Sequence, residues 1–290
     1  MKKYWVYLGS LISMIASVSP ALADETKALL PLGRSWVGDQ NLPLPYGIGA
    51  DYYYQRQPYD IQSMKLTPPV GMPLNQQLLG ALGILQNQSV ASTLQVRTRV
   101  NEGDVKADAW LFPFLNVFVL GGYVREHTTV TGFPPAASQL IQQATMDENG
   151  DIFGGGMTLA GSIGRLWGSA MIAETYASLN NNDSWIRAWV VSPKVGVQLD
   201  GPWSGGEKAL NVWVGGMFQR ADENHSGTMG ITLPGSPAPV PFGYNVKIQE
   251  AEAWNFLFGG SVNLCQHWQA SVEAGVGQRQ QVNASLGYRF

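Results

Sequence analysis

The sequence predicts an all-β fold, an antiparallel up-and-down transmembrane β-barrel of about twelve strands. Charge is scarce, because only 13% of the 290 residues are charged, whereas soluble domains have about 25%. Glycine and aromatic residues are abundant, with 34 glycines, ten tryptophans and eleven tyrosines. Apolar residues recur at every second position, which is the strand period. No stretch after residue 23 is apolar over the roughly 18 residues that a spanning helix needs, so we expect the chain to cross a membrane as strands.

The N-terminal sequence has the layout of a cleaved secretory signal. Two lysines precede an apolar run from about Tyr4 to Val18, and the small-x-small triplet Ala21-Leu22-Ala23 follows. We therefore predict a cleaved signal peptide over 1–23, an N-terminal periplasmic segment over 24–44 and the barrel over 45–290.

Alternating runs of about ten residues define the predicted strands, since a strand tilted by roughly 45° crosses a bilayer in that length. The predicted strands are 46–55, 59–67, 91–100, 103–111, 114–125, 152–163, 168–179, 185–199, 209–220, 253–263, 268–277 and one at the C-terminus. If the C-terminus lies on the periplasmic side, the long connections 126–151 and 221–252 both fall on the outer side, as expected for outer-membrane barrels.

Segment 67–90 fits this topology poorly, because the same count makes it a long periplasmic connection. It has a proline-rich start and a short helix predicted from Asn75 to Leu85. The segment would plug the lumen or lie along the membrane surface; otherwise 59–67 is not a separate strand.

The chain ends in NASLGYRF, an alternating strand whose apolar face carries Ala284, Leu286, Tyr288 and Phe290. This ending resembles the C-terminal signature of bacterial outer-membrane β-barrel proteins, in which an aromatic residue closes the last strand. The resemblance implies a bacterial outer-membrane location and recognition by the barrel-assembly machinery. Tyr288 and Phe290 would then be an assembly signal.

The polar face of the strands would line the lumen, where charges are satisfied by each other or by water. The charged candidates for selectivity are Arg97, Arg99, Lys106, Asp108, Lys194, Glu273 and Arg289. Cations outnumber acids in this set, so the lining would favour small anionic solutes. Because twelve strands lie between the filled interior of eight and the aqueous channel of sixteen, we expect a narrow channel or transporter.

Two other functions stay open. A structural or adhesive barrel would present loops 126–151 and 221–252 to a partner and would have a lumen closed by ion pairs. A rim hydrolase would use His127 or His225 with a loop carboxylate. Neither histidine has a recognised catalytic spacing, so we predict that the protein is not an enzyme.

No cofactor or metal site is predicted, because three scattered histidines and one cysteine give no ligand spacing. The acidic stretch DENGD, residues 147–151, lacks the remaining ligands of a calcium loop and is interpreted as a solvated loop. Cys265 is expected to be a buried or lipid-facing residue, with a reactive thiol as the alternative. The net charge of −3 argues against a nucleic-acid partner, which leaves membrane lipid, the assembly machinery and small solutes as the expected partners.

Overall fold

A computed structural model describes residues 29–37, 42–72, 76–138, 144–180, 185–200, 210–231, 238 and 240–290. The predicted signal peptide lies outside the described residues, as do parts of the predicted periplasmic segment. The strands are β1 (Tyr46–Thr67), β2 (Gln95–Phe112), β3 (Leu115–Thr131), β4 (Ala144–Ile163), β5 (Leu166–Leu179), β6 (Ile186–Leu199), β7 (Leu210–Ile231), β8 (Val240–Glu250), β9 (Trp254–Asn263), β10 (Trp268–Val276) and β11 (Gln280–Arg289). The helices are α1 (Gln76–Leu85), α2 (Gln88–Ala91) and α3 (Pro135–Ser138). Among the described helices, none has the length and apolar character needed to span a bilayer.

Ten antiparallel strands close into a barrel in the order β1 to β7, then β9, β10 and β11. Closure is completed by β11, which pairs with β1 from Gly47↔Arg289 to Arg56↔Gln280. The predicted antiparallel barrel is therefore confirmed, and a free sheet edge is avoided.

The predicted number of about twelve strands is wrong. The predicted strands 46–55 and 59–67 are the two halves of β1, and 91–100 and 103–111 are the two halves of β2. The turn-like composition around Asn101 and Gly103 suggested a break, but both residues pair in register with β1 and β3. Backbone pairing to a neighbour on each side outweighs the weak strand preference of these residue types.

Five of the barrel strands continue beyond the barrel to form a narrower structure at the outer end, which we call the outer extension. It consists of 59–67 of β1, 95–100 of β2, 126–131 of β3, 144–149 of β4, 223–231 of β7 and the additional strand β8. One edge of β8 pairs with β7 and the other with β1, so β8 bridges these two strands above β9, β10 and β11.

The outer extension corrects the predictions for the two outer loops and for the position of segment 67–90. The expected outer loops 126–151 and 221–252 are mostly strand, because β3, β4 and β7 extend into them and β8 lies within the second. Segment 67–90 follows the outer end of β1, so it lies on the outer side and not on the periplasmic side. The predicted helix near 75–85 is confirmed as α1, and it packs at the top of the outer extension.

An apolar belt surrounds the ten-stranded part of the barrel. Each of the ten strands exposes at least one large apolar side chain on its outward face, and these side chains are between 44% and 56% accessible. The representatives are Tyr52, Val105, Val119, Met157, Ile172, Val195, Val214, Phe258, Val272 and Leu286. The outward face of the outer extension is different, since it carries exposed charged residues such as Asp60, Arg97, Arg99 and Lys247. The outside of the molecule therefore changes from apolar to polar where the outer extension begins.

Candidate lumen and outer plug

The lumen of the ten-stranded part contains ion pairs between strands. Arg289 of β11 lies 2.7 Å from Asp108 of β2, and Asn116 donates a hydrogen bond of 2.6 Å to the same carboxylate. Lys194 of β6 lies 2.5 Å from Glu273 of β10 across the lumen. These cations are 22% to 23% accessible at the side chain, so the pairs are partly hydrated.

A tryptophan completes the Lys194–Glu273 pair. The Trp213 indole N–H donates a hydrogen bond of 2.6 Å to Glu273, and the Lys194 ammonium lies 5.7 Å from the centre of the Trp213 ring. A third pair, Lys106 with Asp51 at 3.5 Å, lies between β2 and β1. The inward-facing charges of the described lumen are thus held largely by their neighbours.

Five of the predicted lumen residues form the ion pairs described above, and their role in selectivity stays a prediction: Lys106, Asp108, Lys194, Glu273 and Arg289. The predicted inward orientation of Arg97 and Arg99 is wrong. Both are exposed on β2, where the alternating Val96 and Thr98 are 2% and 1% accessible and point into the interior. The error follows from the false break in β2, because a two-residue period fixes one orientation for the whole strand.

The sign of the lumen charge also differs from the prediction. The described inward-facing cations in the ten-stranded part are Lys106, Lys194 and Arg289, with Arg279 at its outer limit. The inward-facing acids are Asp51, Glu102, Asp104, Asp108 and Glu273. Acids outnumber cations, so the lining of the described lumen does not favour anions.

The outer extension has an apolar core, which we call the outer plug. It lies inside the strands where an open channel would have its outer mouth, and α1, α2 and α3 contribute side chains to it. Its buried members are Tyr59, Ile61, Met64, Leu66, Leu82, Leu85, Ala91, Leu94, Val96, Val130, Phe133, Ala137, Ala144, Ile231, Phe242, Tyr244, Val246 and Ile248. The straight path along the barrel axis is therefore filled by close-packed side chains in this conformation.

Polar groups lie just below the outer plug, in a buried network around His225 of β7. The ring Nδ1 lies 2.9 Å from Glu148 and the ring Nε2 lies 3.2 Å from Glu223. Tyr244 donates a hydrogen bond of 3.1 Å to Glu148, and Tyr59 donates one of 3.0 Å to Glu223. We call this set, together with Glu126, the Glu–His cluster.

Glu126 reaches the same space from β3. Its Oε1 accepts a hydrogen bond of 3.0 Å from Thr128, and one ligand atom each of Glu126, Glu223 and His225 lie within 4.8 Å of one another. Burial raises the pKa of Glu126 to about 8, and the charge of Glu223 adds to this effect. Burial lowers the pKa of His225, but hydrogen bonds to Glu148 and Glu223 outweigh it and raise the pKa to about 11.

The predicted rim histidines are placed very differently from each other. His127 lies on the outward face of β3, where its Nδ1 is 2.6 Å from Asp147 and its side chain is 43% accessible. His225 is 1% accessible, with both ring nitrogens facing carboxylates. His225 is therefore buried between carboxylates and does not lie at the rim, whereas His127 is exposed beside Asp147.

A buried arginine seals the junction where β8 crosses above the β10–β11 turn. Arg279 is 1% accessible and donates hydrogen bonds to Gln281, to Gln219 and to the carbonyl oxygen of Met217, all between 3.1 and 3.2 Å. Nothing in the sequence indicates that Arg279 is buried, because an arginine in a short turn is ordinarily solvated.

The chain terminus lies in the barrel wall at the inner end. The Phe290 N–H donates a hydrogen bond of 3.0 Å to Tyr46, and the two rings stack with centroids 5.9 Å apart. Cys265 lies in the β9–β10 turn at the same end and is exposed, which excludes the buried alternative of the prediction for this residue. A turn between two short strands leaves no packed surface that could cover it.

No protein-family model matches the chain, and no curated protein has a significant sequence match to it. Among solved structures, the transport unit of the Escherichia coli autotransporter AIDA-I is similar, with 12% identity, a TM-score of 0.40, and 93% of this chain and 96% of that chain covered. The outer membrane protein OprG from Pseudomonas aeruginosa is similar with 7% identity, a TM-score of 0.42, and 86% and 99% covered. The translocator domain of the Neisseria meningitidis autotransporter NalP has 13% identity, a TM-score of 0.37, and 88% and 92% covered. Likeness at this level carries no argument about function.

Proposed function

We propose that this protein is a bacterial outer-membrane barrel that acts as a narrow, gated channel for small solutes. The apolar belt supports the membrane location, because lipid replaces water around every one of the ten strands. Aromatic rings such as Trp185 and Trp254 toward the outer side and Trp268 and Tyr288 toward the inner side belong at the two interfaces of such a membrane.

The observation that carries the channel proposal is the contrast between the two parts of the interior. The inner half of the ten-stranded part holds charged, partly accessible side chains, whereas a second buried apolar cluster (Val124, Ile152, Leu179, Ile186 and Ala221) and the outer plug fill the space toward the outer end. A barrel that is only a scaffold has no need of hydrated charges such as Lys194 and Arg289 in its wall. We therefore assign the ten-stranded part as the conduit and the outer plug as a gate that is closed in this conformation.

The charge of the lumen favours cationic or neutral solutes over anions. Asp51, Glu102 and Asp104 form an acidic group on the inner face of β1 and β2, with Lys106 as the neighbouring cation. A ring of acidic groups at a constriction attracts cations and repels anions. Anionic solutes, which the sequence suggested, lost their main support when Arg97 and Arg99 proved to face outward.

Ion selectivity of the refolded protein in a planar bilayer tests this assignment. Replacing Asp51 and Asp104 with asparagine lowers the cation-to-anion permeability ratio, because it removes two carboxylates from the conduit. The matched control replaces Arg97 and Arg99 with glutamine, which leaves the ratio unchanged. A change with the arginine variant and none with the aspartate variant would contradict the assignment.

The alternative function is a sealed barrel that presents its outer surface to a partner, and the packed outer plug is the observation that favours it. A sealed barrel does not conduct even when the plug is weakened by a substitution. A gated channel with a weakened plug conducts more often than the wild type. The same bilayer recordings therefore separate the two functions.

A further inference from the structure

We propose that the Glu–His cluster is a binding site for a divalent transition-metal ion, with Glu126, Glu223 and His225 as its ligands. The ligands come from β3 and β7, which are not neighbours in the barrel, so the ion would join two walls of the outer extension. The proposal does not rest on the channel function, because a sealed barrel would hold the ion equally well.

The first support is that the candidate ligand atoms lie close to one another. One ligand atom from each of the three residues lies within 4.8 Å of the other two, although Glu126 is far in sequence from Glu223 and His225. An imidazole nitrogen with carboxylate oxygens is a donor set that suits zinc and similar ions, whereas magnesium and calcium prefer oxygen alone.

The second support is the set of hydrogen bonds around the ligands. Thr128 donates a hydrogen bond to Oε1 of Glu126, and Tyr59 donates one to Oε1 of Glu223. The Oε2 atom of each carboxylate is then the one that would bind the ion, and Oε2 of Glu223 already faces Nε2 of His225. Glu148 holds Nδ1 of His225, which leaves Nε2 toward Glu223. A carboxylate on the far nitrogen of a histidine is the usual support for a metal-binding imidazole, since it fixes the ring orientation and raises its basicity.

The third support is charge. Glu126, Glu148 and Glu223 are between 3% and 9% accessible, and His225 forms ion pairs with Glu148 and Glu223. When all three carboxylates are ionised, one imidazolium leaves an excess of two negative charges in an interior with apolar residues above and below. Buried charge of this kind is stable only when it is neutralised, either by protons or by a cation.

The fourth support is unsatisfied polar surface beside the cluster. Gln57 is 2% accessible and faces inward next to Thr98, and its amide group makes no hydrogen bond of normal geometry, although Tyr59 lies close to it. An ion bound in the cluster would place a polar partner in a region where a buried amide otherwise has little to bind.

Zinc binding to the folded full-length mature protein tests the proposal. The protein is refolded in detergent, stripped with chelator and dialysed against Zn²⁺, and bound zinc is then measured by elemental analysis. We expect one zinc ion per chain, not displaced by Mg²⁺ or Ca²⁺ at the same concentration. Glu126→Gln and His225→Gln should abolish this binding, and Glu148→Gln should weaken it by about 10- to 100-fold, as loss of a supporting carboxylate does elsewhere.

The control is His127→Gln, because His127 with Asp147 is an exposed His–carboxylate pair on the same part of β3. It should leave zinc binding unchanged. Heat-modifiable gel migration checks that each variant is folded, and Glu126→Gln, which keeps the shape of the side chain, covers the case in which His225→Gln fails to fold. If stripped wild-type protein binds no more zinc than folded Glu126→Gln, the cluster is neutralised by protons alone and the proposal is overturned. Loss of zinc with His127→Gln instead would also overturn it.

Discussion

Leu85 offers the sharpest test of the outer plug, because it lies outside the barrel wall on α1, which together with α2 forms the cap of the plug. Its side chain is 0% accessible at the C-terminal end of α1, where it packs in the apolar core of the outer extension. Leu85→Ala removes buried methyl groups without lowering helix propensity, since alanine is the best helix former. Truncation of a fully buried leucine costs about 2 to 5 kcal/mol.

A loss of about 2 kcal/mol raises the equilibrium constant for opening of the cap by roughly 30-fold. Hydrogen exchange of peptides covering α1 and α2, followed by mass spectrometry on the native protein, should accelerate by this factor, because exchange there follows local opening. Exchange in β9 to β11 should not change. Leu79→Ala is the matched control, since Leu79 lies on the same helix and is 50% accessible. Unchanged exchange in Leu85→Ala, or equal acceleration in both variants, would refute the plug as a packed cap.

Three further predictions concern other parts of the barrel. Arg279→Met should lower the urea midpoint of unfolding, because it leaves the buried partners of three hydrogen bonds unpaired, whereas the exposed Arg220→Met should not. Phe290→Ala removes the ring that stacks on Tyr46 and should slow assembly in cells, measured as the rate at which the heat-modifiable form appears; an unchanged rate would contradict the assembly role. Cys265 should react with a membrane-impermeant maleimide only after the outer membrane is permeabilised, whereas Val70→Cys in a Cys265→Ser background should react in intact cells; the reverse pattern would invert the topology.

The barrel was predictable because its signals are local. Alternation in β9, β10 and β11 places Trp254, Trp268 and Leu286 on the outward face. Because side chains alternate with a period of two, the orientation of every residue in a strand is fixed once one face is assigned to lipid. The strand number was not predictable in the same way. Whether β2 breaks at Asn101 depends on whether its neighbours continue to pair with it, and that information lies in β1 and β3.

The candidate site was predicted only in part for the same reason. Lys194 and Glu273 could be assigned to the lumen from alternation, but their pairing requires the barrel to bring β6 and β10 together. The Glu–His cluster was missed because Glu126 and Glu148 are far in sequence from Glu223 and His225. Glu148 lies in a stretch whose composition is that of an acidic loop, and only the pairing of Glu126 with Glu148 across β3 and β4 shows that both face inward.

Single-channel recording of the wild-type protein beside Leu85→Ala tests the central claim, that the ten-stranded part is a conduit closed by the outer plug. We expect the wild type to open rarely and briefly. The variant should open roughly 30-fold more frequently with the same unit conductance, because the substitution changes the gate and not the conduit. A wild-type barrel that conducts continuously would show that the plug does not close it. Silence from both proteins, each shown to be folded by its gel migration, would show that the barrel is a sealed scaffold.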